Sequence, residues 1–118
     1  MRPRALCAFA LKFLTMLIVL TTMPSAEEAE ALARKIVAAK LAACVQVLPP
    51  MKSFYFLENE IQMDSEHLLL IKTLPEKFDE LKDFIQANHS YSVPEIVALA
   101  AEKVSETYLG WMKDYLTK

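Results

Sequence analysis

Two histidines and two cysteines are the residues whose types could ligate a soft or borderline metal: Cys7, Cys44, His67 and His89. Imidazole nitrogen suits copper(II) well, and His89 sits in the polar stretch Asn88-His89-Ser90-Tyr91. Their spacing is not that of a preformed site. The chain has no Cys-x-x-Cys and no His-x-His, so any ligand set must be gathered by the fold, from Asn88, Glu95 or His67, or from a second chain. His67 lies in Ser65-Glu66-His67-Leu68, where a sheet-surface or interface role is expected. Cys44 lies in Leu41-Ala42-Ala43-Cys44-Val45, and an apolar run of that kind predicts a buried, reduced thiol with blunted nucleophilicity. No serine has an evident histidine partner. The paired carboxylates Glu27-Glu28 stand where acidic residues complement a helix start. The residues therefore point to binding rather than to catalysis, so no enzyme is expected, and no cofactor is required.

The elements that must position these groups fit one domain. The chain has 118 residues, a net charge of −2 and 54% hydrophobic residues. One core is the natural solution at this length. Mixed charges with no basic run exclude a nucleic-acid surface. A single glycine leaves no phosphate-cradling loop. The high apolar share implies buried subunit contacts, a membrane-inserting segment, or both.

The N-terminus has two readings. Arg2 and Arg4 before an apolar stretch look like a signal segment in residues 1–20, which would make the protein secreted or membrane-tethered. Lys12 interrupts that stretch, so no stable membrane span is expected. Alternatively residues 1–12 are an extension and 13–118 the domain, with Leu14 to Thr22 as a first strand ending at Pro24. The strand reading is favoured, with a cytoplasmic location; Met16 then offers an internal start site.

Downstream, Ser25-Ala26-Glu27-Glu28 reads as a capping box opening a helix with Ala29, Leu32, Ala33, Ile36 and Val37 on one face, ending near Lys40. Ala43 to Leu57 is strand-like, with a bend or an edge at Pro49-Pro50. Glu58-Asn59 predicts a turn and Ile61 to Lys72 the returning strand, with Leu68 to Ile71 buried on both faces. Thr73-Leu74-Pro75-Glu76 reads as a second capping box, before a helix with Phe78, Leu81 and Ile85 inward that stops near Asn88. A short strand is expected over Glu95 to Leu99. A last helix opens at Ser105, with Tyr108, Trp111, Met112 and Tyr115 on one stripe. The order β-α-β-β-α-β-α is the split-βαβ arrangement of an α/β (α+β), ferredoxin-like fold: a four-stranded antiparallel sheet with helices on one face. The long hairpin would overhang so small a sheet. Pairing its edges with another copy of the chain would cover them.

Several segments, in order and at matching spacing over roughly residues 16–112, resemble the CutA (divalent-cation tolerance) family. They are Ile18 to Ser25, Lys40 to Val45, Asp64-Ser65-Glu66 through Thr73, His89-Ser90-Tyr91-Ser92-Val93-Pro94-Glu95-Ile96, and Tyr108-Leu109-Gly110-Trp111. The resemblance implies a ferredoxin-like fold in a homotrimer built by strand pairing. It also implies a link to tolerance of copper and other divalent metals, with copper binding in some members. The trimer resembles that of PII signalling proteins, which implies a ligand-sensing or scaffold module as an alternative role. In some members a ligating Cys stands where this chain has Thr21, and a His pair stands where it has Asn88-His89. Lys72, Tyr91, Glu95, Tyr108 and Trp111 match recurring family positions, and the resemblance implies that they line a cleft between subunits, or else pack there with Lys72 and Glu95 as an ion pair.

Overall fold

The computed structural model describes residues 16–118. The expected extension, Cys7 and the expected strand start before Met16 lie outside the described residues. The elements are β1 (Met16–Met23), α1 (Ala26–Ala38), β2 (Cys44–Val47), β3 (Met51–Leu57), β4 (Glu60–Thr73), a single 3-10 turn (Pro75–Lys77), α2 (Phe78–Asn88), β5 (Val97–Ala101) and α3 (Glu106–Leu116). The fold is α+β with an antiparallel five-stranded sheet, ordered β2-β4-β1-β5, with β3 also on β4.

The fifth strand comes from the proline pair. Val47 faces Leu69, and the Leu48 amide still donates to the Leu68 carbonyl at 2.9 Å. Pairing resumes with Met51 opposite Glu66. Pro49 and Pro50 therefore stand against His67 alone, a bulge that splits the expected strand in two, because proline has no N–H to give the ladder. His67 fills the gap, with Nδ1 2.9 Å from the Leu48 carbonyl. Beyond the bulge β3 and the first half of β4 run out as a two-stranded arm. Its tip is the Glu58-Asn59 turn, where both residues are left-handed (φ 53° and 63°), as a two-residue hairpin turn of matching twist requires.

Strand alternation divides the sheet's faces. Val19, Leu69 and Ile71 point to one side and pack against Ala29, Leu32 and Ile36 of α1 and Leu81 and Ile85 of α2. Ile18, Leu20, Leu68 and Leu70 point to the other side and are only half-buried, and Val97 and Leu99 of β5 are exposed there. Leu68 to Ile71 is thus covered on one face, not on both as its composition suggested. Only the Met16 end of this second face is closed, where α3 packs Met112 and Leu116 against Met16, Ala43 and Leu74.

The Ser25 cap forms as expected, its Oγ accepting the Glu28 amide at 3.1 Å. The second expected box does not form. Thr73 is the last residue of β4, fully buried, and its hydroxyl donates inward to the Leu41 carbonyl at 2.7 Å. A carbonyl just past α1 needs a buried donor more than a solvent-facing turn needs a cap. Cys44 is half-buried rather than buried, and among the described residues it makes no disulfide.

Two buried threonines on the same face make a paired prediction. Thr73→Val should cost about 1–3 kcal/mol, since it strands the Leu41 carbonyl. Thr21→Val should be neutral or stabilising, since the fully buried Thr21 hydroxyl has no partner among the described residues. Urea unfolding at one fixed protein concentration measures both.

Candidate functional site

The arm and the loop after α2 together enclose a groove of about 910 Å³. Period-two alternation places Asp64 and Glu66 on one face of β4, and the register sets Ser53 opposite Asp64 and Tyr55 opposite Gln62 on that face. Tyr55 donates its hydroxyl to Asp64 Oδ2. From above, residues 91–95 of the loop close the groove, and Tyr91 donates its hydroxyl to Glu66 Oε2 at 2.7 Å. Glu66 is only 8% exposed. Burial pushes the Tyr91 phenol well above the ordinary tyrosine range, and its bond to the Glu66 carboxylate adds to the shift. The Tyr55 phenol is raised chiefly by its bond to Asp64.

His89 sets where this loop lies. The Tyr91 amide donates to His89 Nδ1 at 3.0 Å, so Nδ1 carries no proton and Nε2 is the protonated nitrogen. Nε2 in turn donates to the Thr22 carbonyl at 2.7 Å. The β5 pairing with β1 reaches only to Leu20 opposite Val97, and His89 binds the strand two residues beyond. The side chain of Gln86 ties the loop to α2 through the Ser92 carbonyl at 3.3 Å.

The five cleft residues fall into two groups. Tyr91 and Glu95 line the groove. Lys72 stands six residues along β4 from Glu66, about 20 Å away. There its ammonium lies 5.6 Å from the Tyr108 ring centre, and Tyr108 lies 5.6 Å from Trp111. Within one chain these groups do not meet. The residues that sequence reasoning missed are Ser53, Tyr55, Asp64 and Glu66; their signal was the period-two pattern Asp64-x-Glu66 facing Ser53-x-Tyr55 in the hairpin.

The donors named for a metal do not fit one within a single chain. Both ring nitrogens of His89 are engaged. The Asn88 amide donates to the Phe84 carbonyl at 2.9 Å. Thr21 faces the helix side of the sheet beside Leu69, away from the groove. Among the described residues no three His, Cys, Asp or Glu side chains converge on a point a metal could occupy.

The raised phenols give an alkaline signature. A group whose folded pKa is raised contributes stability that is full below its unfolded value and is lost as pH rises past it. Folding stability should therefore fall as pH climbs beyond about 10. Tyr91→Phe should remove part of that fall, and a tyrosinate absorbance titration should lose its latest-ionising component. An unchanged titration would show that Tyr91 is not the shifted group.

Comparison with known proteins agrees with this fold. The family model described as CutA1 divalent ion tolerance protein matches residues 17–115. The chain is 42% identical over 97 residues to the divalent-cation tolerance protein CutA of Thermus thermophilus, covering 82% of this chain and 94% of that protein. It is 43% identical over 98 residues to the chloroplastic CutA of Arabidopsis thaliana, covering 83% of this chain and 54% of that protein. The chain thus spans about half the length of the plant relatives it matches. The solved structure of the periplasmic divalent cation tolerance protein CutA from Archaeoglobus fulgidus superposes with a TM-score of 0.83 at 38% identity, over 86% of this chain and 98% of that one. Among the described residues no helix is long and apolar enough to cross a membrane. With nearly its whole described length matched in sequence and in fold, the chain belongs to the CutA1 divalent ion tolerance protein family.

Proposed function

We propose that this chain works as a homotrimer in divalent-metal tolerance, by binding rather than by catalysis. The observation that supports assembly is the uncovered apolar surface. Phe54 and Phe56 are each 68% exposed, and Ile61 76%. With Met63 they share one face of the arm, and the half-buried Leu20, Leu68 and Leu70, on the opposite face of the sheet, are a second uncovered apolar surface. Each large aliphatic or aromatic side chain gains about 1.5–3 kcal/mol on full burial, so a second copy is a strong occupant for this surface. The count of three comes from the family resemblance.

A specific observation favours a second reading, a small-ligand-sensing or scaffold trimer of the PII-like kind without a metal site. That observation is the groove, whose polar groups converge while those named for copper do not. Copper at His89 would cost the loop one of its two hydrogen bonds and would need further donors from another copy.

Native mass spectrometry with a copper(II) titration separates the two readings. On the small-ligand reading the result is a trimer whose copper uptake is weak and unchanged by His89→Ala. Uptake of one copper per chain that the mutant loses would instead establish the metal reading. The double variant Phe54→Asp, Ile61→Asp should shift the trimer towards monomer by at least tenfold in dissociation constant, and a monomeric wild type would sink the assembly.

A further inference from the structure

The uncovered face of the sheet carries different chemistry at its two ends. Lys72, Leu70, Leu68 and Glu66 alternate onto that face of β4, with Ile18 and Leu20 of β1 beside them. The Lys72 end is cationic and aromatic. Among the described residues the ion pairs are Lys82 with Asp83 and Lys118 with Asp114, so no carboxylate there lies within 4 Å of the Lys72 ammonium. The ammonium lies over the Tyr108 ring instead, and Trp111, packed against Tyr108, is 51% exposed. The groove end is the converse. Asp64 and Glu66 are engaged by the Tyr55 and Tyr91 hydroxyls. Glu95, on the rim, is exposed, and among the described residues its carboxylate takes neither a hydrogen bond nor an ion pair. Val93, two residues before it on the same rim, is 87% exposed. One end thus offers a cation beside an open indole. The other offers a carboxylate beside an open aliphatic side chain.

We propose that these two ends dock on each other between copies of this chain, the Lys72 ammonium of one copy on the Glu95 carboxylate of the next, and Trp111 over Val93. This deepens the assembly proposed above and rests on it. Distance requires the second copy. Lys72 and the groove stand about 20 Å apart on β4, so the two ends of one chain cannot meet. Charge and shape then match in pairs, cation to carboxylate and aromatic ring to aliphatic side chain, at neighbouring points of each end. Between the ends lie the half-buried Ile18, Leu20, Leu68 and Leu70, so the contact that joins the ends also covers the apolar strip. An ion pair at the border of an apolar contact chiefly sets register and rejects wrong alignments, while the apolar area supplies the affinity. In a ring each copy gives Lys72 to the next and offers Glu95 to the one before, so no end is left over.

The test is sedimentation velocity of the full chain at pH 7 over a dilution series, with the fluorescence of Trp111, the chain's only tryptophan, as the local readout. As the wild type associates, the emission should shift to the blue and become harder to quench with acrylamide. Lys72→Glu and Glu95→Lys should each weaken association at least tenfold, since each sets like charges against one another. The two changes combined in one chain should bring association back to within threefold of the wild type, which a variant that merely misfolds could not do. Three results would overturn the docking and leave the assembly itself standing: a wild type that associates with Trp111 as quenchable as in the dilute chain, single reversals that associate like the wild type, or a combined variant no better than either single one. A wild type that stays monomeric at every concentration would discard both.

Discussion

One strand carries the architecture. Over Lys72 to Leu69, β4 is hydrogen-bonded on both edges, to β1 and β2, and it lies in the middle of the core. From Glu66 outward it has β3 on one edge and nothing described on the other. The change happens at Pro49-Pro50, where the ladder loses two donors and His67 bridges the gap. Every later feature follows from that change of partner. The arm exists because pairing resumes after the bulge. The groove exists because the arm leans out beside the loop at residues 89–96. A two-stranded ribbon is marginal in water on its own, so the arm must be covered.

The same strand explains why one face of the molecule is finished and the other is not. Helices α1 and α2 seal the Leu69 and Ile71 side. Their sequence periodicity supplies only enough apolar surface for that one layer. The Leu68 and Leu70 side keeps its aliphatic side chains and gains a cover from α3 only near Met16. The high apolar share of the composition is thus stored on the second face and on the arm. That is where a second copy would find it.

Much of this was legible in the residues because it depends on local rules. Ser25 caps α1 since it directly precedes the helical stripe, and Glu58-Asn59 turns since Asn59 tolerates left-handed backbone. The inward faces of α1 and α2 followed from their 3.6-residue period. What was not legible depends on residues far apart in sequence. Thr73 looked like a cap until the Leu41 carbonyl, 32 residues away, claimed its hydroxyl. Tyr91 reaches back 25 residues to Glu66, and Tyr55 forward nine to Asp64, so the groove's polar pairs have no contiguous signature. His89 was singled out as a ligand by residue type. Its neighbours give it a different task, holding the loop to β1 through Thr22. The residues expected in one cleft divide between two ends of β4, since resemblance aligns positions without saying which belong to the same chain's surface.

The central claim is that the arm is a covered element and not a free ribbon. Amide hydrogen exchange on the intact protein tests it most directly, because protection reports local opening. Amides of β3 and the outer half of β4 should exchange nearly as slowly as those of β1. Exchange of the arm as fast as that of the loop at residues 89–95, at the same protein concentration, would contradict it.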